Sequence, residues 1–185
     1  MEKELLADAR TRMDKAIVAT KNEFNTVRSG RASTALLDRI MVDYYGIKTP
    51  LKQLANVAVP EPRLLTVTPY DKAAMKSIEK AIRESDLGVN PSNDGQVVRL
   101  PIPHLTEERR RELVKLVRRL AEDGRVAVRN VRRDTVKDLR ELTKEGVVSE
   151  DAVRRSEEEL QKATDDHVHQ IDELLKQKEA EILEV

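Results

Sequence analysis

The chain is 185 residues long, enough for one domain or two small ones, with 37% charged residues, 2% aromatic residues and no tryptophan, a balance that suits long amphipathic helices better than a sandwich or barrel core. It has no cysteine, which excludes disulfides, thiolate metal sites and thiol nucleophiles, and its formal net charge is zero. No apolar run approaches the ~20 residues of a membrane span and the N-terminus lacks a signal-peptide core, so a soluble, cytoplasmic protein without a membrane partner is expected.

Apolar residues spaced by threes and fours predict a first helix over 3–28, with Leu6, Ala9, Met13, Ala16, Ile17, Thr20, Phe24 and Val27 on one stripe and Gly30 at its end. Residues 31–104 differ in character and hold all seven prolines. Ile40, Val42 and Tyr44 alternate as a strand that turns at Gly46. Val57 and Val59 predict a second strand, stopped by Pro60-Glu61-Pro62, and Leu65 and Val67 a third, closed by Pro69. Asp71 should cap a short helix carrying Ala74, Ile78, Ala81 and Ile82 and ending around Gly88. Asn93-Asp94-Gly95 then turns the chain into a strand over 96–100. These elements make a small α/β module of about 70 residues, near the lower size for independent folding.

A long second helix is expected from Thr106 to near Gly146. Leu113, Val117, Leu120, Val128, Val131, Thr135, Leu139 and Leu142 mark its buried face. At about 100° per residue, Arg111, Lys115, Arg118, Arg125, Arg129, Arg132, Arg133 and Arg140 fall in a sector roughly 100° wide, away from that face. Among acids, only Glu122 and, from the first turn, Glu107 share the sector. Gly124 costs about 1 kcal/mol in mid-helix against alanine, and a bend is expected there. The last helix starts at the N-cap Ser149 and buries Val153, Leu160, Ala163, His167, Ile171, Leu174 and Ile182. Charge is segregated along the chain. Residues 105–145 hold 13 Lys and Arg against 9 Asp and Glu, whereas residues 149–185 hold 5 against 12.

Three long helices cannot each bury a stripe alone. The expected fold class is therefore α+β with two domains: a long antiparallel three-helix bundle from 1–30 and 105–185, and an inserted α/β domain at 31–104. Two segments join them, Ser29-Gly30-Arg31-Ala32 and Pro101-Ile102-Pro103-His104. Paired short connections rich in Gly and Pro suit a hinge.

No enzyme constellation emerges. His167 and His169 lie roughly 200° apart on a helix and cannot share a metal, so no metal or cofactor is expected. His167 reads as a satisfied core histidine. Gly46-Ile47-Lys48-Thr49 resembles the end of a phosphate-binding loop but lacks its upstream glycine. Tyr44 and Tyr45 are too few for base stacking and read as strand packing. The arginine stripe is the chemical signal, because a guanidinium fork donates two parallel hydrogen bonds to phosphate oxygens. It predicts a rod lying along nucleic-acid backbone.

Five motifs resemble the ribosome recycling factor family. They are the run Arg125-Val126-Ala127-Val128-Arg129-Asn130-Val131-Arg132-Arg133-Asp134, the helix start Leu105-Thr106-Glu107-Glu108-Arg109-Arg110, the junction Arg28-Ser29-Gly30-Arg31-Ala32, Tyr44-Tyr45-Gly46, and Ser85-Asp86-Leu87-Gly88-Val89-Asn90-Pro91. Gly124 departs from the pattern. The resemblance covers the chain in length and order and implies an L-shaped monomer, its bundle and smaller domain joined by a flexible elbow. It implies a non-enzymatic factor that binds large-subunit ribosomal RNA after termination and, with elongation factor G and GTP hydrolysis by that partner, splits the ribosome into subunits. Arg129, Arg132 and Arg133, with Arg110 from the stripe's edge and Arg28 and Arg31 from the junction, would hold phosphates. The competing reading is a helical adaptor that scaffolds proteins without RNA. A third, a hydrolase with carboxylates between the domains, finds no paired acids.

Overall fold

The computed structural model describes residues 1–184. Helix α1 spans Glu2–Thr26 and ends on Val27, whose backbone is extended (φ −82°, ψ 111°). Gly30 therefore does not cap this helix. It lies three residues beyond the cap, with φ +79°.

The inserted elements follow a 3-10 turn, Thr34–Leu37, that is capped by Ser33. Strands β1 (Met41–Tyr44) and β2 (Ile47–Pro50) pair antiparallel as a hairpin, and the single turn α2 (Leu51–Leu54) leads on from them. Next come β3 (Ala55–Glu61), β4 (Leu64–Pro69), helix α3 (Met75–Arg83), β5 (Ser92–Asn93) and β6 (Val98–Pro101). The four strands form an antiparallel sheet of order β3-β4-β6-β5.

Pro60 does not stop β3, as the sequence suggests, because it falls where the β3–β4 register shifts between Ala58 and Glu61. A proline at such an irregularity forfeits no regular ladder bond. Asp71 caps a 3-10 turn (Lys72–Ala74) that runs into α3, and α3 stops at Arg83, a full turn before the expected end. Leu37, Val42, Leu51, Leu65, Val67, Ile78, Ile82, Val98 and Leu100 make up the core of this module. Tyr44 packs on its margin, but Tyr45 is exposed, which corrects its reading as a packing residue.

Helix α4 runs unbroken from Glu107 to Lys144, and α5 from Glu150 to Leu183. Gly146, at φ +72°, stops α4: its N–H donates to Thr143 O and that of Val147 to Leu142 O. These bonds satisfy carbonyls that a helix end leaves open. Ser149 Oγ then accepts the Ala152 N–H and starts α5.

Side-chain pairs give the helix directions. Arg118, Arg125 and Arg140 of α4 meet Glu179, Asp172 and Glu157 of α5, so the two run antiparallel. Arg12 meets Asp134 and Thr20 lies against Gly124, so α1 also runs antiparallel to α4. Arg10–Glu159 and Asp14–His167 make α1 parallel to α5.

Met13, Val117, Ala121, Val128, Leu139, Leu160, Ile171 and Ile182 are almost completely buried. Each of the large ones contributes about 1.5–3 kcal/mol by leaving water. Gly124 is buried among them, and a Cβ there would stand 2.3 Å from Thr20 Oγ1 and 3.2 Å from Ile171 Cδ1. The glycine lets three helices approach closely. It does not interrupt α4. His167 bridges Ala163 O (2.6 Å) and Asp14 Oδ1 (2.8 Å), a core histidine that ties α5 to α1.

The chain thus divides into two compact units, Met1–Arg28 with Glu108–Leu183, and Ser29–Glu107 with Glu184. The fold is α+β, a three-helix bundle interrupted in sequence by a small module.

Candidate nucleic-acid interface

The arginines of helix α4 differ in whether they meet an acid of α5. Along the edge nearest α5, Arg118 Nε donates to Glu179 (2.5 Å) and Arg125 to both Asp172 (2.8 Å) and Glu122 (3.0 Å). Arg140 Nε donates to Glu157 at 2.9 Å. In sequence the stripe looks nearly free of acids. In three dimensions the acidic last helix supplies them, so Arg118, Arg125 and Arg140 form the α4–α5 seam. Arg125 is the most committed, its side chain only 20% exposed.

The other three meet no acid of α5: Arg129 and Arg133 are exposed and Arg132 is half-buried. Arg129, Arg132 and Arg133 line a shallow depression with Val126 and Asn130. Arg129 shares Glu122 with Arg125, and the two guanidinium groups, Arg125 first, hold that carboxyl below the usual glutamate range. Arg133 donates to the neutral amide of Asn130 (2.5 Å), and Arg132 to that of Gln161 (2.7 Å). Arg132 Nε is buried without a hydrogen-bond partner. Exposed pairs contribute little to stability, so the arms of Arg129 and Arg133 can be re-aimed at another acceptor cheaply. A ligand oxygen offered here meets three guanidinium groups on an α-helix whose axis is fixed by the bundle.

The remaining candidates lie apart from this cluster. Arg110 precedes Arg129 by 19 residues, about 28 Å along the helix. It is half-buried, on the line of Val128 five turns later, with its Nε buried and unpartnered. Half-burial suits a position at the edge of the stripe rather than at its exposed centre. Arg28 is exposed just after α1, and Arg31 stands 3.8 Å from Glu184. Around the junction residues, the Ala32 N–H donates to Pro62 O (2.7 Å) and the Ile102 N–H to Arg63 O (2.8 Å). Ala32 and Pro101 are therefore held against the β3–β4 turn, while Ser29 is buried and Pro103 and His104 are exposed. Val126, 42% exposed among the arginines, has no signal in sequence except its position on the wrong face for a core valine. Among the described residues, no three His, Asp or Glu side chains are grouped to hold a metal ion, and no helix is long and apolar enough to cross a membrane.

Fold and face together define an arginine-faced helical-bundle protein that carries a small inserted module. The family model for Ribosome recycling factor matches residues 20–183. The ribosome-recycling factor of Rubrobacter xylanophilus is 59% identical over 180 residues, 97% of each chain, and that of Shouchella clausii 59% over 185 residues, all of both. A solution structure of the ribosome recycling factor superposes with a TM-score of 0.74 at 44% identity, covering 100% of this chain and 98% of its own. Another similar structure comes from models for the T. thermophilus ribosome recycling factor and the E. coli elongation factor G bound to the E. coli post-termination complex, with a TM-score of 0.64, 49% identity and 99% of both chains covered. The chain belongs to the ribosome recycling factor family, whose members are translation factors rather than catalysts.

Proposed function

We propose that this protein binds the post-termination ribosome with its bundle along large-subunit ribosomal RNA and, with elongation factor G and GTP, splits it into subunits. The observation that carries the reading is the cluster Arg129, Arg132 and Arg133 around one shallow depression, three forks on a rigid helix that bond only one shared carboxylate and two neutral amides. Arg110, Arg28 and Arg31 extend the phosphate contacts beyond this cluster. Folded RNA offers such a surface little base-edge information, so recognition follows shape and backbone.

The partner is suggested by the relative seen with elongation factor G on the post-termination complex. In this scheme the chain makes and breaks no bond. It acts as a monomer that transmits motion. Segments 29–32 and 101–104 are the hinge, and its freedom is concentrated at Ser29-Gly30 and around Pro103-His104, because Ala32 and Pro101 are tied to the module. The test is subunit splitting with purified post-termination ribosomes, with and without elongation factor G and GTP. Splitting only when all components are present supports the reading, and no splitting rejects it.

A further inference from the structure

Arg132 stands where the seam between α4 and α5 should claim it. The seam pairs Arg118 with Glu179 and Arg125 with Asp172, so a step of seven residues along α4 is matched by seven back along α5. Seven residues are about two helical turns, which return a side chain to nearly the same face. The next step brings Arg132 opposite Asp165, and eight residues further on Arg140 meets Glu157 as the ladder resumes. At the Arg132 rung the carboxylate is in place, but the guanidinium gives its Nη1 to Gln161 Oε1 instead, at 2.7 Å.

Gln161 lies one turn before Asp165, and its Nε2 donates to Asp165 Oδ1 at 2.8 Å. The amide therefore turns its oxygen to the guanidinium and its NH2 to the carboxylate. The opposite orientation would set donors against donors at Arg132 and oxygen against oxygen at Asp165, so the two neighbours admit only one. Gln161 and Asp165 are both exposed, which sets this relay apart from the buried contacts that hold the bundle together. Its consequence is electrostatic. A carboxylate on a guanidinium offsets its charge and occupies its donors, and a phosphate must displace it before binding. An amide oxygen takes one donor and leaves the charge whole. It also orders a long side chain in advance, which lowers the entropy cost of ordering it on a ligand. Arg132 lines the same depression as Arg129 and Arg133, with its Nε already out of water.

We propose that Gln161 is a positioning residue for Arg132: it draws Asp165 out of the seam and holds the guanidinium, still fully charged, at the depression where a phosphate group binds. This rests on the function proposed above. The test is a double-mutant cycle on the full-length protein. Three quantities are read for each variant: the melting temperature, the affinity for purified post-termination ribosomes, and the slope of log affinity against log salt.

Gln161→Glu sets a carboxylate directly on Arg132. It should lower affinity at least fivefold and make the salt slope shallower by about one, with the melting temperature unchanged or higher. In an Arg132→Ala background the same substitution should cost less than twofold, because the group it acts through is gone. Gln161→Ala frees Asp165 to pair with Arg132 and should lower affinity about threefold. Adding Asp165→Asn should restore affinity to within twofold of wild type, whereas adding Asp166→Asn, which removes the same charge one residue away, should not. The proposal is overturned if Gln161→Glu binds as wild type, if it costs as much without Arg132 as with it, or if the melting temperature falls in step with affinity. Equal recovery by Asp165→Asn and Asp166→Asn overturns it too. If wild-type protein shows no salt-dependent affinity for ribosomes, the functional reading itself fails; if Arg132→Ala weakens binding and the Gln161 variants do not, the positioning role alone is wrong.

Discussion

At the scale of single residues, Gly124 shows how composition can mislead. By propensity it weakens α4 by about 1 kcal/mol against alanine. In the folded bundle an added Cβ would meet Thr20 Oγ1 at 2.3 Å and Thr20 Cγ2 at 3.2 Å, and Thr20 Oγ1 is already bonded to Ala16 O. Rotating the threonine exchanges one close contact for another. Gly124→Ala should therefore lose about 1–2 kcal/mol, overpacking outweighing the propensity gain. The check is denaturant unfolding followed by helical circular dichroism. Thr20→Ala in the same chain should recover much of the loss, because the two sites couple directly. A stabilised single mutant would mean that the contact relaxes freely.

The arginines divide at the same scale. Arg129→Ala and Arg132→Ala should leave folding nearly intact and weaken ribosome binding, each removing a charge-assisted contact worth about 1.5–3 kcal/mol. Arg125→Ala should affect binding least, since its guanidinium is spent on Asp172 and Glu122. Filter or fluorescence binding to ribosomes ranks the three. Equal losses would erase the distinction between the seam and the depression.

At the scale of elements, the long helices were legible in sequence because their evidence is local and repeated. Apolar residues recur at helical spacing for many turns, and Ser149 and Gly146 mark ends by their own chemistry. The pairing of the stripe was not legible. Which arginine meets an acid of α5 depends on the register between two helices, and no window along one helix contains it. Strand β5, two residues long, and β2, which reads Ile47-Lys48-Thr49-Pro50, carry no alternation to detect. The exposure of Tyr45 was hidden for a similar reason: an aromatic beside a strand usually packs, and only the positive φ of the turn swings it out.

Two predictions belong at this scale. If about five phosphates are neutralised along α4 and the junction, log affinity against log salt should be linear with a slope of roughly −3.5 to −4.5. A flat plot favours a protein-only adaptor. Acid should also act on α4. The Glu122 carboxyl is lowered by Arg125 and Arg129, so its contribution is present above the ordinary glutamate range, about pH 4.3, and is lost as pH falls through its lower folded value. The helical signal of Glu122→Gln should consequently depend less on pH in that acid window than wild type. Identical acid limbs would show that these exposed pairs contribute nothing measurable.

At the scale of the whole molecule, the question is whether binding and function separate. The proposed grip lies mainly in the bundle, on Arg129, Arg132 and Arg133, whereas the proposed motion is absorbed at the connections. Gly30 is the sharpest place to test this. Its φ of +79° is closed to proline, whose ring fixes φ near −65°, and strained for any residue with a Cβ. A Cβ there would also stand 2.9 Å from Leu105 Cγ, though that side chain can shift.

Gly30→Ala should therefore be a mild perturbation and Gly30→Pro a severe one, both confined to the connection and leaving the helices folded by circular dichroism. Ribosome affinity should fall less than threefold in each, because Arg129, Arg132 and Arg133 are untouched. Splitting with elongation factor G and GTP should fall modestly for Gly30→Ala and at least tenfold for Gly30→Pro, since the module could no longer follow the path that the glycine permits. Affinity and rate must be measured on the same preparation for the comparison to hold. Parallel losses in both would identify the junction, with Arg28 and Arg31 beside it, as part of the grip. Full activity of Gly30→Pro would mean that motion is absorbed entirely at Pro103-His104, and the hinge would have one working strand instead of two.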